Sequence, residues 1–97
     1  METKALELSK ILKVIANPNR LQILCLLQNQ ASSVSKLHEN IPNISMAALS
    51  QHLTALKLAG LIDAKKQGLN VIYHLADEKI IKVINVLKET YCAEDTK

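Results

Sequence analysis

Ser45-Met46-Ala47-Ala48-Leu49-Ser50-Gln51-His52-Leu53-Thr54-Ala55-Leu56-Lys57-Leu58-Ala59-Gly60-Leu61-Ile62 is the stretch on which the fold turns. Leu49, Leu53 and Leu56 recur at helical spacing and predict one buried stripe. Ser45 is placed to cap the start of this helix, and Gly60 to end it in a left-handed conformation. Ser45, Met46, Ala47, Ser50, Gln51 and Thr54 fall mostly on the other faces. After Gly60 the period changes. Leu61-Ile62-Asp63-Ala64 and Val71-Ile72-Tyr73-His74-Leu75 read as two short strands, joined across Lys65-Lys66-Gln67-Gly68-Leu69-Asn70 as a hairpin tip.

Working outward toward the N-terminus, Asn40-Ile41-Pro42-Asn43 reads as a turn. Before it, Val34, Leu37 and His38 belong to a short helix that Ser32 or Ser33 can cap. Earlier still, Leu21, Ile23, Leu24, Cys25 and Leu27 lie in a helix closed by Gln28-Asn29-Gln30. Asn17 suits its N-cap and Pro18 its first position, where a missing N–H costs nothing. Leu8, Ile11, Leu12 and Ile15 make the stripe of a first helix. Toward the C-terminus, Asp77 caps a last helix running to about Tyr91. The expected order is four helices, two strands and a helix (ααααββα), a mainly α fold of the α+β kind, with residues 1–97 as one domain.

The last helix carries Ile80, Ile84, Leu87 and Tyr91 on one stripe, with Ile81, Val83 and Val86 around it. A helix apolar over more than half its circumference must bury more than one face. A 97-residue chain has little material to cover both. With the first helix beside it, this pattern predicts a two-fold homodimer.

Composition narrows the chemistry. The chain has 12 Lys+Arg against 9 Asp+Glu and a net charge of +3, a mild lean toward a polyanionic partner. Only two glycines occur, no glycine-rich phosphate loop exists, and no nucleophile sits with a base in a known motif, so an enzyme is not expected. No stretch resembles a signal peptide, and no apolar run approaches the roughly 20 residues that span a bilayer. A cytoplasmic protein without membrane contact is expected, with its two cysteines reduced at rest.

The segment from Ser33 to Gly60 is thus a helix, a tight turn and a second helix with a small, polar outside. Small residues at the start of the second helix suit entry into a major groove about 12 Å wide. Gln51 is a candidate to read an adenine edge, while Ser45 and Ser50 can donate to bases or phosphates. His52, Lys57 and the backbone N–H groups are candidate phosphate contacts, with Met46, Ala47 and Thr54 alongside. Lys65, Lys66, Gln67 and Asn70 on the hairpin can reach an adjacent groove or backbone.

Four runs, in this order, carry a resemblance: Ala16-Asn17-Pro18-Asn19-Arg20-Leu21-Gln22-Ile23-Leu24, Ala48-Leu49-Ser50-Gln51-His52-Leu53, Ala59-Gly60-Leu61-Ile62 and Val71-Ile72-Tyr73-His74-Leu75. Together they resemble the ArsR/SmtB repressors over nearly the whole chain. The resemblance implies a homodimeric winged helix-turn-helix that binds an imperfect inverted repeat in double-stranded DNA until an inducer releases it. It also implies that the first and last helices form the dimer interface. Met46 and Ala47 stand where that family usually has polar residues, and the turn at Asn40–Asn43 is about one residue longer than is common.

Many members of that family sense metals. A Cys-x-Cys pair in the DNA-reading unit is lacking here. The last helix offers Asp77, Glu78 and Glu89 but no histidine, since the final one is His74. Cys25, Cys92, His38 and His74 show no metal-ligand spacing, so neither a metal site nor a cofactor is expected. The placement of Cys25 and Cys92 instead looks like the persulfide- and redox-sensing HlyU/BigR/SqrR branch. That likeness implies a switch in which the two are linked by a reactive sulfur species or an oxidant. The alternatives are a metal-responsive repressor and a winged helix that binds protein, its cysteines inert.

Overall fold

The computed structural model describes residues 2–92. Five helices and three strands follow in the order α1 (Glu2–Ile15), α2 (Pro18–Asn29), β1 (Ser32–Ser33), α3 (Val34–Asn40), α4 (Met46–Leu58), β2 (Ile62–Gln67), β3 (Asn70–Leu75) and α5 (Glu78–Tyr91). The expected sequence of elements is present, with β1 in addition.

Short polar side chains start the helices. Asn17 Oδ1 accepts from the backbone N–H groups of Asn19 at 2.9 Å and Arg20 at 3.1 Å, with Pro18 just inside the helix. Of the two candidate serines, Ser33 caps α3 by accepting from the Lys36 N–H at 3.2 Å. Ser45 caps α4 through the Ala48 N–H at 3.0 Å, and Asp77 caps α5 through the Lys79 N–H at 2.9 Å. Helix α4 ends in a Schellman motif. The Leu61 N–H donates to the Leu56 carbonyl, the Gly60 N–H donates to the Lys57 carbonyl, and Gly60 has φ +80°.

The sheet is antiparallel in the order β1-β3-β2. Ser32 pairs with Tyr73 and Ser33 with Ile72, while β2 and β3 pair from Ile62–Leu75 out to Gln67–Asn70. The hairpin tip is therefore narrower than the sequence suggests. Lys65, Lys66 and Gln67 are strand residues, and the turn is Gly68-Leu69 alone. Positive φ occurs there only at Gly68 (+62°), the pattern of a type II′ turn matched to strand twist.

The core joins Ile15, Ile23, Leu24, Leu27, Leu37, Leu49, Leu53, Leu56, Leu61 and Ile62 to Ile80, Ile81 and Ile84. Ile41 belongs to it as well and is fully buried, although it lies in the segment expected to be only a turn. Asn40 closes α3, so the connection to α4 starts one residue later than expected. On α1, Leu8 and Leu12 stay exposed while Ile15 is buried. On α5 the buried set is Ile80, Ile81 and Ile84, whereas Val83, Val86, Leu87 and Tyr91 face outward. The stripe assigned by periodicity on each helix is thus split between the protomer's core and its surface.

Candidate nucleic-acid interface

Helix α4 rests on α2 and α3 through Leu49, Leu53 and Leu56, each at most 1% exposed. With that stripe sunk, the helix cannot rotate about its axis without opening a cavity, so its outward residues are held at fixed bearings. Ser45, Met46, Ala47, Ser50, Gln51, Thr54 and Lys57 are all exposed. Two hydroxyls are partly committed within the helix. Ser45 Oγ accepts from the Ala48 N–H, and Thr54 Oγ1 donates to the Ser50 carbonyl at 3.0 Å. Donating capacity at Ser45 remains, since a hydroxyl both donates and accepts. Ser50 and Gln51 thereby become the principal outward polar groups of the helix.

His52 differs from its neighbours. Its ring is half-buried, and Nδ1 accepts from Arg20 Nε on α2 at 3.1 Å. Burial lowers its pKa from the ordinary imidazole value, and the adjacent guanidinium lowers it further. Toward a phosphate such a ring offers a neutral N–H donor rather than a positive charge.

The connection ahead of α4 is also anchored. His38 Nε2 lies 2.8 Å from the Ile44 carbonyl, and Gln22 Nε2 donates to the Asn40 carbonyl at 3.3 Å. The first bond fixes α3 to the segment leading into α4, and the second ties the end of α3 to α2. On the hairpin, Lys65, Lys66, Gln67 and Asn70 are exposed near the Gly68-Leu69 tip. Asp63, the one acid near those lysines, turns its carboxylate onto the backbone N–H of Ala64 at 2.8 Å.

The cysteines lie away from this face. Cys25 is half-buried on α2 and packs against the core, and Cys92 is exposed at the C-cap of α5. Both are free thiols, and α2 packs against α5.

Residues 17–64 match the model of the bacterial regulatory proteins of the arsR family. The chain is 37% identical over 92 residues to the transcriptional activator HlyU of Vibrio cholerae, covering 95% of this chain and 84% of that protein. It is 34% identical over 95 residues to the biofilm growth-associated repressor of Agrobacterium fabrum, covering 98% and 80%. This chain belongs to the arsR family of bacterial regulatory proteins.

The fold agrees with that membership. The structure of reduced HlyU from Vibrio cholerae superposes with a TM-score of 0.84, covering 95% of this chain and 96% of the other. The homodimeric winged helix-turn-helix DNA-binding domain of Mb0332 from Mycobacterium bovis, 26% identical, gives 0.79, covering 92% and 82%. This arsR-family chain is a winged helix-turn-helix and a DNA-binding transcription regulator rather than an enzyme. Helix α3, the connection through Ile44, and α4 form the helix-turn-helix, and β2–β3 is the wing.

Among the described residues, no group of three or more His, Cys, Asp and Glu side chains lies close enough to hold a metal ion. No helix among them is long and apolar enough to cross a membrane. Sequence reasoning missed the bond between Arg20 and His52, which lie 32 positions apart. The available signal was the position of Arg20 in the first turn after the Asn17-Pro18 cap, at the mouth of α2, where a long side chain can reach a neighbouring helix.

Proposed function

We propose that this chain is a homodimeric repressor that binds an imperfect inverted repeat in double-stranded DNA and is released by oxidation or persulfidation of Cys25 and Cys92. The observation that carries the DNA half is the outward face of α4: Ser50 and Gln51 project from a helix pinned by three buried leucines. Gln51 is the adenine reader and Ser50 a base or phosphate donor. Ser45, Met46, Ala47 and Thr54 line the approach, while Lys57, Lys65, Lys66, Gln67 and Asn70 meet the backbone or adjacent groove. His52 acts as a neutral group beside them. Two-fold pairing through α1 and α5 is supported by the apolar residues left outside on these helices. It is supported too by the Mycobacterium bovis relative, which is homodimeric.

The switch half draws support from the position of the two thiols, on helices that pack together, and from HlyU, whose solved form is described as reduced. Cys92 is the accessible thiol. Its thiolate attacks the terminal sulfur of a polysulfide and keeps it as a persulfide, while the shortened polysulfide leaves. The Cys25 thiolate then attacks the inner sulfur, hydrosulfide departs, and a disulfide closes. Closure requires the two Cα atoms to come within about 7 Å. That constraint would tie the end of α5 to α2 and, through the interface, change the spacing of the two reading helices.

The test is fluorescence anisotropy with DNA from upstream of the chain's own gene, using reduced protein, polysulfide-treated protein and the Cys25→Ser variant. The expected result is salt-sensitive binding that treatment abolishes, reductant restores and the variant retains. Binding that survives treatment removes the thiol switch. Absence of salt-sensitive binding to any duplex removes the DNA-reading assignment in favour of a protein-binding winged helix.

A further inference from the structure

The Arg20 guanidinium makes two bonds to two other elements. Nε donates to His52 Nδ1 on α4 at 3.1 Å, and Nη1 donates to the Val14 carbonyl, in the last turn of α1, at 3.2 Å. A guanidinium donates only, so His52 Nδ1 must be an acceptor without a proton. The neutral ring then carries its hydrogen on Nε2. No buried side-chain nitrogen or oxygen among the described residues lacks a partner, so Nε2, which has none in the protein, reaches solvent.

We infer that Arg20 is a positioning residue for the DNA-reading helix: it clasps the end of α1 to α4 and locks His52 as an outward Nε2–H donor. The inference rests on the DNA-reading assignment proposed above. The planar fork of arginine suits the task, because one rigid group addresses two acceptors in fixed directions. Burial and the neighbouring positive charge both disfavour protonation of the ring, which keeps Nδ1 available as the acceptor. Arg20 is the charged group that acts on His52 from α2, and among the described residues α1 presents the Val14 carbonyl to the clasp. Val14 precedes Ile15, where α1 enters the core, and α1 also packs directly on α4, so the Arg20 clasp adds a directional polar tie to that apolar contact.

Two measurements on the full chain decide it. Nitrogen-15 NMR of the free wild-type protein should show His52 as a single neutral Nε2–H tautomer, with a scalar coupling between Arg20 Nε and His52 Nδ1. A predominant Nδ1–H tautomer overturns the clasp whatever happens to variants or DNA. The second is a double-mutant cycle read by DNA affinity with Arg20→Ala, His52→Ala and the pair. Each single variant should lose about tenfold, and the pair about the same tenfold rather than a hundredfold, because both remove one interaction. Additive losses, with each variant folded by circular dichroism, overturn transmission through His52. If the wild-type protein binds no DNA, the DNA-reading assignment fails, and the tautomer alone then decides the clasp.

Discussion

Val83→Glu should dissociate the dimer while leaving the protomer folded. Val83 is 47% exposed, and with Leu8, Leu12 and Ile80 it lines a groove of about 310 Å³ between α1 and α5. Fully burying such a side chain contributes about 1.5 kcal/mol at the lower end of the usual range. The exposed half still to be covered therefore contributes about 0.7 kcal/mol per copy. In an isologous interface each residue counts twice, giving about 1.4 kcal/mol, or tenfold in Kd. A glutamate at the same place also buries a polar group without a partner, at about 1–3 kcal/mol per copy. The sum is at least about 3 kcal/mol, so the dimer Kd should rise by two orders of magnitude or more. The protomer should lose little, because surface substitutions stay within about 0.5 kcal/mol and glutamate is a better helix former than valine. Sedimentation equilibrium over a wide concentration range reads the Kd, and far-ultraviolet circular dichroism at the same concentrations reads the fold. A variant that dimerises like the wild type would show that α5 does not carry the interface. A variant that unfolds at every concentration would show that Val83 belongs to the protomer's own core.

Leu53→Ala, beneath α4, should cost about 2–5 kcal/mol of stability in urea unfolding, because Leu53 is 1% exposed among close-packed neighbours. Asn17→Ala should cost about 1 kcal/mol by removing the acceptor for two N–H groups at the head of α2. His52 has a folded pKa below its ordinary value of 6.5, so the unfolded chain takes up this proton first. Its contribution to stability is complete above about pH 6.5 and is lost as the pH falls through the folded pKa; His52→Gln should flatten that part of the stability–pH curve. Lys65→Ala with Lys66→Ala removes four lysines from a dimer and should reduce the salt slope of DNA binding by about four while leaving sequence preference unchanged.

What the sequence made legible follows from the range of each interaction. The caps at Asn17, Ser45 and Asp77 act within three residues of themselves, and each is where its residue type predicts. The leucine stripe of α4 was equally plain, since 49, 53 and 56 share one neighbourhood. Strand β1 was hidden because two residues are too few to show alternation, and its existence depends on the facing Tyr73 and Ile72. The wing lysines were assigned to a loop because exposed β2 residues lack alternation; their pairing comes from β3. Periodicity identified the apolar residues of α1 and α5 but could not divide them between core and surface. That division depends on which neighbours happen to cover Ile80, Ile81 and Ile84. The Arg20–His52 bond escaped for the same reason, as nothing local joins its ends.

The geometry of α4 bears on why two copies are needed at all. With the Ser45 and Thr54 hydroxyls partly committed inside the helix, the side chains of one protomer proposed to read bases come down to Ser50, Gln51 and the Nε2–H of His52. A good bidentate base contact discriminates by about 1–3 kcal/mol, so Gln51 with one serine falls short of the roughly 4–10 kcal/mol that separates specific from non-specific binding. Two-fold repetition doubles the readers only if the operator repeats at the distance the dimer imposes. Specificity would then reside as much in the α1 and α5 surface as in α4. On the proposed switch, the C-cap of α5, where Cys92 lies exposed, would be an effective place to act, since a small displacement there would shift the register of two helices without altering the proposed DNA contacts.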